Sequence, residues 1–197
     1  MDRAAPATDA AARRASAFAG SAVLGMALFV FVEAMLFAGF ISAFAIVQST
    51  SPPGAWPPPD QPRLPVGRTA INTLVLLASG ATMIAAGRAF GAGDRRRASR
   101  WLGATLALGA AFVALQGVEW AALLREGLTI RSSHLGSFFY TIVGAHALHA
   151  LAGLVALAVA WTWLRSGRLH PGHMGAFRLL WLFVVLLWPV LYWQVYL

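Results

Sequence analysis

Three side chains in this sequence stand where ionisable groups are costly, and they define the chemistry that needs explaining. Glu33 lies in the middle of GMALFVFVEAMLFAGFISAFAIV (Gly25 to Val47), a run with no other charge. A carboxylate at that depth in a bilayer costs roughly 2.5 to 3.5 kcal/mol on insertion scales, so it calls for a partner, a proton or a function. His146 and His149, in GAHALHALAG, are three residues apart in a second apolar run. That spacing puts both imidazoles on neighbouring positions of one helix face, where metal or haem ligation is a chemical option.

At a rise of 1.5 Å per residue and counting from the outer ends of the runs, Glu33 lies roughly 22 Å deep, His149 roughly 21 Å and His146 roughly 17 Å. Glu33 and His149 are therefore expected to meet, as a neutral hydrogen-bonded pair or an ion pair. Glu33 then has three readings: a protonated acid joining two helices, a proton-related or regulatory group, or part of a substrate or ion pathway. A haem site in a bundle would use histidines on two facing helices. The remaining histidines, His134, His170 and His173, fall in loops or at membrane edges. Hydrogen bonding of both imidazoles to neighbouring helices is the expected arrangement, with no metal and no redox centre in this chain.

The secondary polar set is Asn72, Gln116 and Glu119. Glu119 is about six residues from the outer end of its run, roughly 9 Å deep, and is followed by Trp120; its carboxylate is expected to reach the headgroup region. Gly25, Gly39, Gly80, Gly109, Gly117, Gly144 and Gly153 are expected at close helix contacts, where small residues let membrane helices approach. The numerous Phe, Leu and Trp side chains are expected to face lipid or neighbouring subunits. Catalytic triads, phosphate-binding loops and nucleic-acid motifs are absent from the sequence, and no catalytic residue is assigned.

The elements that position these residues follow from composition. Of 197 residues 59% are hydrophobic and only 11% charged, with a mean hydropathy of +0.68. Soluble domains carry about 25% charged residues, so this is the composition of an integral membrane protein. The lack of cysteine excludes disulfides, thiolate metal sites and cysteine nucleophiles. Five runs reach the roughly 20 residues needed to span: Phe18 to Val47, Thr69 to Phe90, Trp101 to Leu124, Leu135 to Leu164 and Ala176 to Leu197. The expected fold is all-α, a polytopic bundle of five transmembrane helices over 17–197, preceded by a disordered or interfacial segment over 1–16. The first run is too long for a secretory signal and lacks a cleavage pattern.

The net charge of +8 is a topological signal and does not point to nucleic acid. All basic residues are arginine, and they cluster between the apolar runs. With the N-terminus cytoplasmic, Arg3, Arg13, Arg14, Arg88, Arg95, Arg96, Arg97, Arg100, Arg165, Arg168 and Arg178 fall inside, against Arg63, Arg68, Arg125 and Arg131 outside. That asymmetry favours a cytoplasmic N-terminus and a periplasmic C-terminus. The proline-rich segment Ser51 to Pro65 is then a stiff outer connector.

Taken in order, these segments resemble the subunit III family of haem-copper oxidases. GMALFVFVEAMLFAGFISAF resembles that family's glutamate-bearing helix, PVGRTAINTLVLLASGATM the next, LGATLALGAAFVALQGVEW the one after, and FFYTIVGAHALHALAGL its His-x-x-His helix. Longer members have seven helices, and this chain begins at the equivalent of their third, the five-helix form of bacterial oxidases. The last helix departs from the family pattern: WLFVV places Leu182 and Val185 where the family carries His and Asp.

The resemblance implies a non-catalytic accessory subunit of a respiratory oxidase in the bacterial inner membrane. Subunit I is the implied main partner, with subunit II, other small subunits and membrane lipids beside it; haem and copper are expected in those partners, and phospholipid as a ligand here. Such a subunit supports proton uptake and the durability of the proton-pumping complex. A quinol oxidase or nitric oxide reductase would be served by the same architecture. A small transporter is a further reading, but it needs polar groups converging at the midplane from several helices.

Overall fold

The computed structural model describes residues 5–59 and 61–197, with side chains described from residue 20 onward. The N-terminal part of the expected 1–16 segment, residues 1–4, lies outside the described residues. Five helices account for most of the chain: α1 (Ala5–Thr50), α2 (Val66–Gly91), α3 (Arg95–Arg125), α4 (His134–Arg165) and α5 (Pro171–Tyr196). Each is long and apolar enough to cross a membrane, and α1 qualifies over Gly20–Thr50. Four of the expected runs therefore sit inside longer helices, and the fifth does so apart from Leu197, which lies just past the end of α5, because apolarity stops at the interface while backbone hydrogen bonding continues past it.

The boundaries have local causes. Asp94 caps α3 by accepting from the Arg97 amide at 2.8 Å, and Ser133 caps α4 through the Gly136 amide at 3.0 Å. Pro171 opens α5 at its first turn, where no amide hydrogen is needed. The α2–α3 turn closes at Gly93, whose φ of 79° is left-handed and disfavours any side chain. Pro189 lies inside α5, so the Val185 carbonyl loses the amide partner four residues on.

Helix α2 packs along α3, α5 sits against α1, α2 and α4, and α3 meets α4. The core is aromatic, and two of its largest members come from α5. Trp181 and Trp188 are fully buried, which corrects the expectation that tryptophans face lipid. Each indole has a partner: Trp181 Nε1 donates to Ser79 Oγ at 3.2 Å, and Trp188 Nε1 donates to Thr73 Oγ1 at 2.9 Å. A buried indole N–H needs such an acceptor, and α2 supplies both.

The glycines divide into two groups. A methyl group at Gly80 would come within 2.8 Å of Val185, and one at Gly109 within 2.7 Å of Trp181; at Gly153 it would meet Trp181 at 3.0 Å. Those three positions let bulky α5 side chains seat. Gly144 has Trp120 at ordinary contact distance, whereas Gly25, Gly39 and Gly117 have no atom within 4 Å of such a methyl. Close packing is therefore the wrong reading for these last three. The apolar Val185 is nearly fully buried against Gly80.

Helix α1 differs from the others in how little it buries. Only 11% of its most apolar window is buried, against 28% to 39% in the other four spans. Leu24, Leu28, Phe31, Val32 and Met35 are each 60% to 63% exposed. At 100° per residue these five fall within one face of the helix. Glu33 points to the opposite side, with Phe37 and Phe44, which are buried in the core.

Candidate functional site

Two polar sites occupy the bundle, and a single ion-pair contact marks the first. His149 Nε2 on α4 lies 3.0 Å from Glu33 Oε2 on α1, with side-chain exposures of 16% and 17%. The other ring nitrogen, Nδ1, is 2.8 Å from the Ala145 carbonyl oxygen one turn back. A carbonyl only accepts, so Nδ1 carries a hydrogen. Nε2 then faces Glu33 either as a lone pair toward a carboxylic acid or as N–H toward a carboxylate. The contact is close but off the ideal hydrogen-bond line, and Oε2 has no other partner. Phe29, Phe37 and Phe183 surround the imidazole at ring distances of 5.5 to 6.5 Å, which limits water around the pair.

His146 does not join this pair. Its ring turns inward between Phe112 of α3 and Trp188 of α5, at 6.3 and 5.0 Å, and is 1% exposed. Neither ring nitrogen has a hydrogen-bond partner, so of the two imidazoles expected to pair with neighbouring helices only His149 does, through Glu33 of α1, while His146 contacts aromatic rings. Residues three apart on a helix differ by 60° in direction. That angle separates α1 from the α3–α5 interior here. Among the described residues no three His, Asp or Glu side chains gather as metal ligands would.

The second site is a polar junction of α2, α3 and α5. Glu119 is 8% exposed and accepts at Oε2 from Thr69 Oγ1 at 3.0 Å and from Gln116 Nε2 at 3.1 Å. Gln116 Nε2 also donates to the Tyr196 hydroxyl at 3.1 Å, while its Oε1 accepts from Asn72 Nδ2 at 3.1 Å. Asn72 Nδ2 reaches the Phe112 carbonyl as well, at 3.3 Å. The expected escape of Glu119 to the headgroups is thus overturned. Depth along the axis is near an interface, but the side chain points inward, where α2 and α3 supply its partners.

Gln116 is the hub, since both amide hydrogens and the carbonyl oxygen are used. Thr69, Thr73 and Tyr196 were not recognisable from polarity alone. A spacing signal was nevertheless present: Thr69 and Asn72 are three apart on α2, as Gln116 and Glu119 are on α3. Two such pairs on adjacent antiparallel helices form a ladder across their contact.

These features define a class: a multi-pass helical membrane protein whose polar side chains join its helices, with one broad apolar face left over. Comparison with known proteins gives the family. Residues 8–197 match the sequence profile of cytochrome c oxidase subunit III. The cytochrome c oxidase subunit 3 of Synechocystis sp. is 34% identical over 179 residues, covering 89% of this chain and 75% of that protein. Those of Gallus gallus and Danio rerio are 34% and 35% identical over 179 and 181 residues, in each case 87% of this chain and 67% of the relative. The chain belongs to the cytochrome c oxidase subunit III family, and it is a membrane subunit of a respiratory oxidase.

Proposed function

We propose that this chain is the non-catalytic packing subunit of a cytochrome c oxidase-type complex, docking on the haem- and copper-bearing subunit I through the exposed face of α1. The observation that carries this reading is the stripe of Leu24, Leu28, Phe31, Val32 and Met35, which the chain's own bundle leaves uncovered. An apolar stripe can face lipid without cost, so exposure alone would not imply a partner. Family membership supplies the partner, and the relatives from Synechocystis sp., Gallus gallus and Danio rerio are described as cytochrome c oxidase subunits, which favours that donor class over a quinol oxidase or nitric oxide reductase.

In this reading Glu33 and His149 lie one helix thickness, about 10 Å, behind the docking face. They lock α1 to α4 and tune proton handling only through the neighbouring subunit. Lipid fills the remaining apolar surface and supports the stability of the complex during oxygen reduction. The arginine-rich turns between α2 and α3 and between α4 and α5 face the cytoplasm, and the proline-rich 51–65 connector faces the periplasm.

The test is bulk on the stripe. Leu28→Trp combined with Val32→Trp keeps the face apolar at positions 60% and 61% exposed; it is expected to leave the isolated bundle folded and to reduce recovery of subunit I with a tagged chain at least tenfold. Unchanged recovery of subunit I would place the interface elsewhere.

A further inference from the structure

Two adjoining grooves run over the end of the bundle where α3 begins and α4 ends. Arg95, Arg96, Arg100 and Arg165 line the first, between the two helices, beside Trp161 and Leu164. Arg97, Arg100 and Trp101 line the second, on α3 alone, so Arg100 belongs to both. All five arginines are exposed. Among the described residues none of them is in ion-pair contact with a carboxylate. The adjacent acid, Asp94, directs Oδ1 to the Arg97 amide at 2.8 Å as a helix cap.

The cluster is held in place by contacts between the helices. Trp161 Nε1 donates to the carbonyl oxygen and to the hydroxyl of Ser99, at 3.1 Å each, which ties α4 to α3. The Arg165 guanidinium lies 4.9 Å over the Trp161 ring. A guanidinium stacked by its face keeps its edge N–H donors free, and that edge matches a pair of phosphate oxygens. From α3, Arg95 Nη1 comes within 3.8 Å of a methyl placed on Gly167, so it reaches across to the end of α4. Like charges brought together in this way repel, and Asp94 is the only acid in the two turns beside them. An anion offsets that repulsion.

We infer that the two grooves form the headgroup site of an anionic lipid carrying two phosphates, one phosphate in each groove with Arg100 between them. This rests on the reading above that lipid covers the chain's free surface; the grooves add which lipid binds and where. Trp101 and Trp161 mark the level, because amphipathic rings of this type sit among the headgroups. Below them α4 exposes Val155 and Leu151, at 66% and 48%, as a track for acyl chains. A soluble anion or an acidic protein segment has no use for that track. Basic pockets between transmembrane helices are a known setting for headgroups of this charge. The site is separate from the docking face, since α1 packs on α5 and α4 and not on α3.

The experiment is native mass spectrometry of the full chain in detergent, titrated with diphosphatidylglycerol, phosphatidylglycerol, phosphatidylcholine or inorganic phosphate. One diphosphatidylglycerol is expected to bind saturably, at least tenfold more tightly than phosphatidylglycerol, with the other two at background. Arg100→Gln combined with Arg165→Gln is expected to weaken the two-phosphate lipid at least tenfold and to bring it level with phosphatidylglycerol. Both side chains are exposed, so the fold is kept, as an unchanged unfolding temperature without lipid verifies. Arg125→Gln combined with Arg131→Gln, at the opposite end of the bundle, is expected to leave binding unchanged. Equal affinity for the one- and two-phosphate lipids, displacement by inorganic phosphate, full binding in the Arg100 and Arg165 variant, or equal weakening by the opposite-end pair would each overturn the assignment. In pull-downs from the native membrane the Arg100 and Arg165 variant is expected to keep its protein partners. Loss of a protein subunit there would make the grooves a protein contact and overturn the lipid site, whereas failure of the lipid titration alone leaves docking through α1 standing.

Discussion

Replacing Gln116 with leucine is expected to lower the stability of the bundle by about 2 to 3 kcal/mol, the largest loss for any single polar side chain here. The reason is geometric. Leucine matches the volume but removes both donors and the acceptor, leaving Asn72, Glu119 and Tyr196 short of partners in the membrane. Glu119 would keep only Thr69. A single interhelical hydrogen bond in a membrane averages about 0.6 kcal/mol, so Tyr196→Phe, which severs one bond and leaves the hub intact, should cost no more than about that much. Thermal or denaturant unfolding of the purified chain in detergent measures both. Equal losses for the two variants would show that the junction is a set of independent bonds without a hub.

The second large effect is at the α1–α4 contact. Glu33→Ala is expected to cost about 1 to 2 kcal/mol, at the upper end for a membrane hydrogen bond, because it leaves His149 Nε2 facing a void among phenylalanines. Glu33→Gln should cost much less, since an amide still donates to a lone pair on Nε2. His149→Leu should match Glu33→Ala, and the double variant should add little. A double-mutant cycle reads this directly: coupling of about 1 kcal/mol is the expected value, and additivity within about 0.3 to 0.5 kcal/mol would mean the two groups do not interact. If Gln at 33 costs as much as Ala, the pair is an ion pair and not a shared-proton pair.

How much of this was legible in the sequence depends on which coordinate a residue's role needed. Helix number and axial depth come from run length and a fixed rise per residue, so the five spans and the matching depths of Glu33 and His149 were readable. The rotational coordinate was not. Glu119 and Trp188 were assigned to lipid or interface because their depth and type allow it, but facing is set by neighbouring helices, which a single apolar run does not encode. In a membrane both faces of a helix are apolar, so the polar stripe that orients a soluble helix is missing. The separation of His146 from His149 was hidden for the same reason: 60° is one face on a helical projection but two environments when three helices crowd the site.

The last helix shows what the sequence could flag without explaining. Leu182 and Val185 are apolar where the resemblance leads to an expectation of polar side chains, yet what Val185 packs against lies more than a hundred positions away. Val185 seats on Gly80, where a methyl group would sit 2.8 Å from it. Only the three-dimensional arrangement joins the two residues.

The measurement that bears most directly on the central claim is purification of the tagged chain from its native membrane in mild detergent, with subunit identification and an optical spectrum before and after dissociation. The accessory-subunit account predicts that a haem-bearing oxidase subunit co-purifies, that the intact preparation shows haem absorption, and that the chain released from it is colourless. A Soret band that stays with the isolated chain, or a preparation with no haem protein in it, would contradict the account.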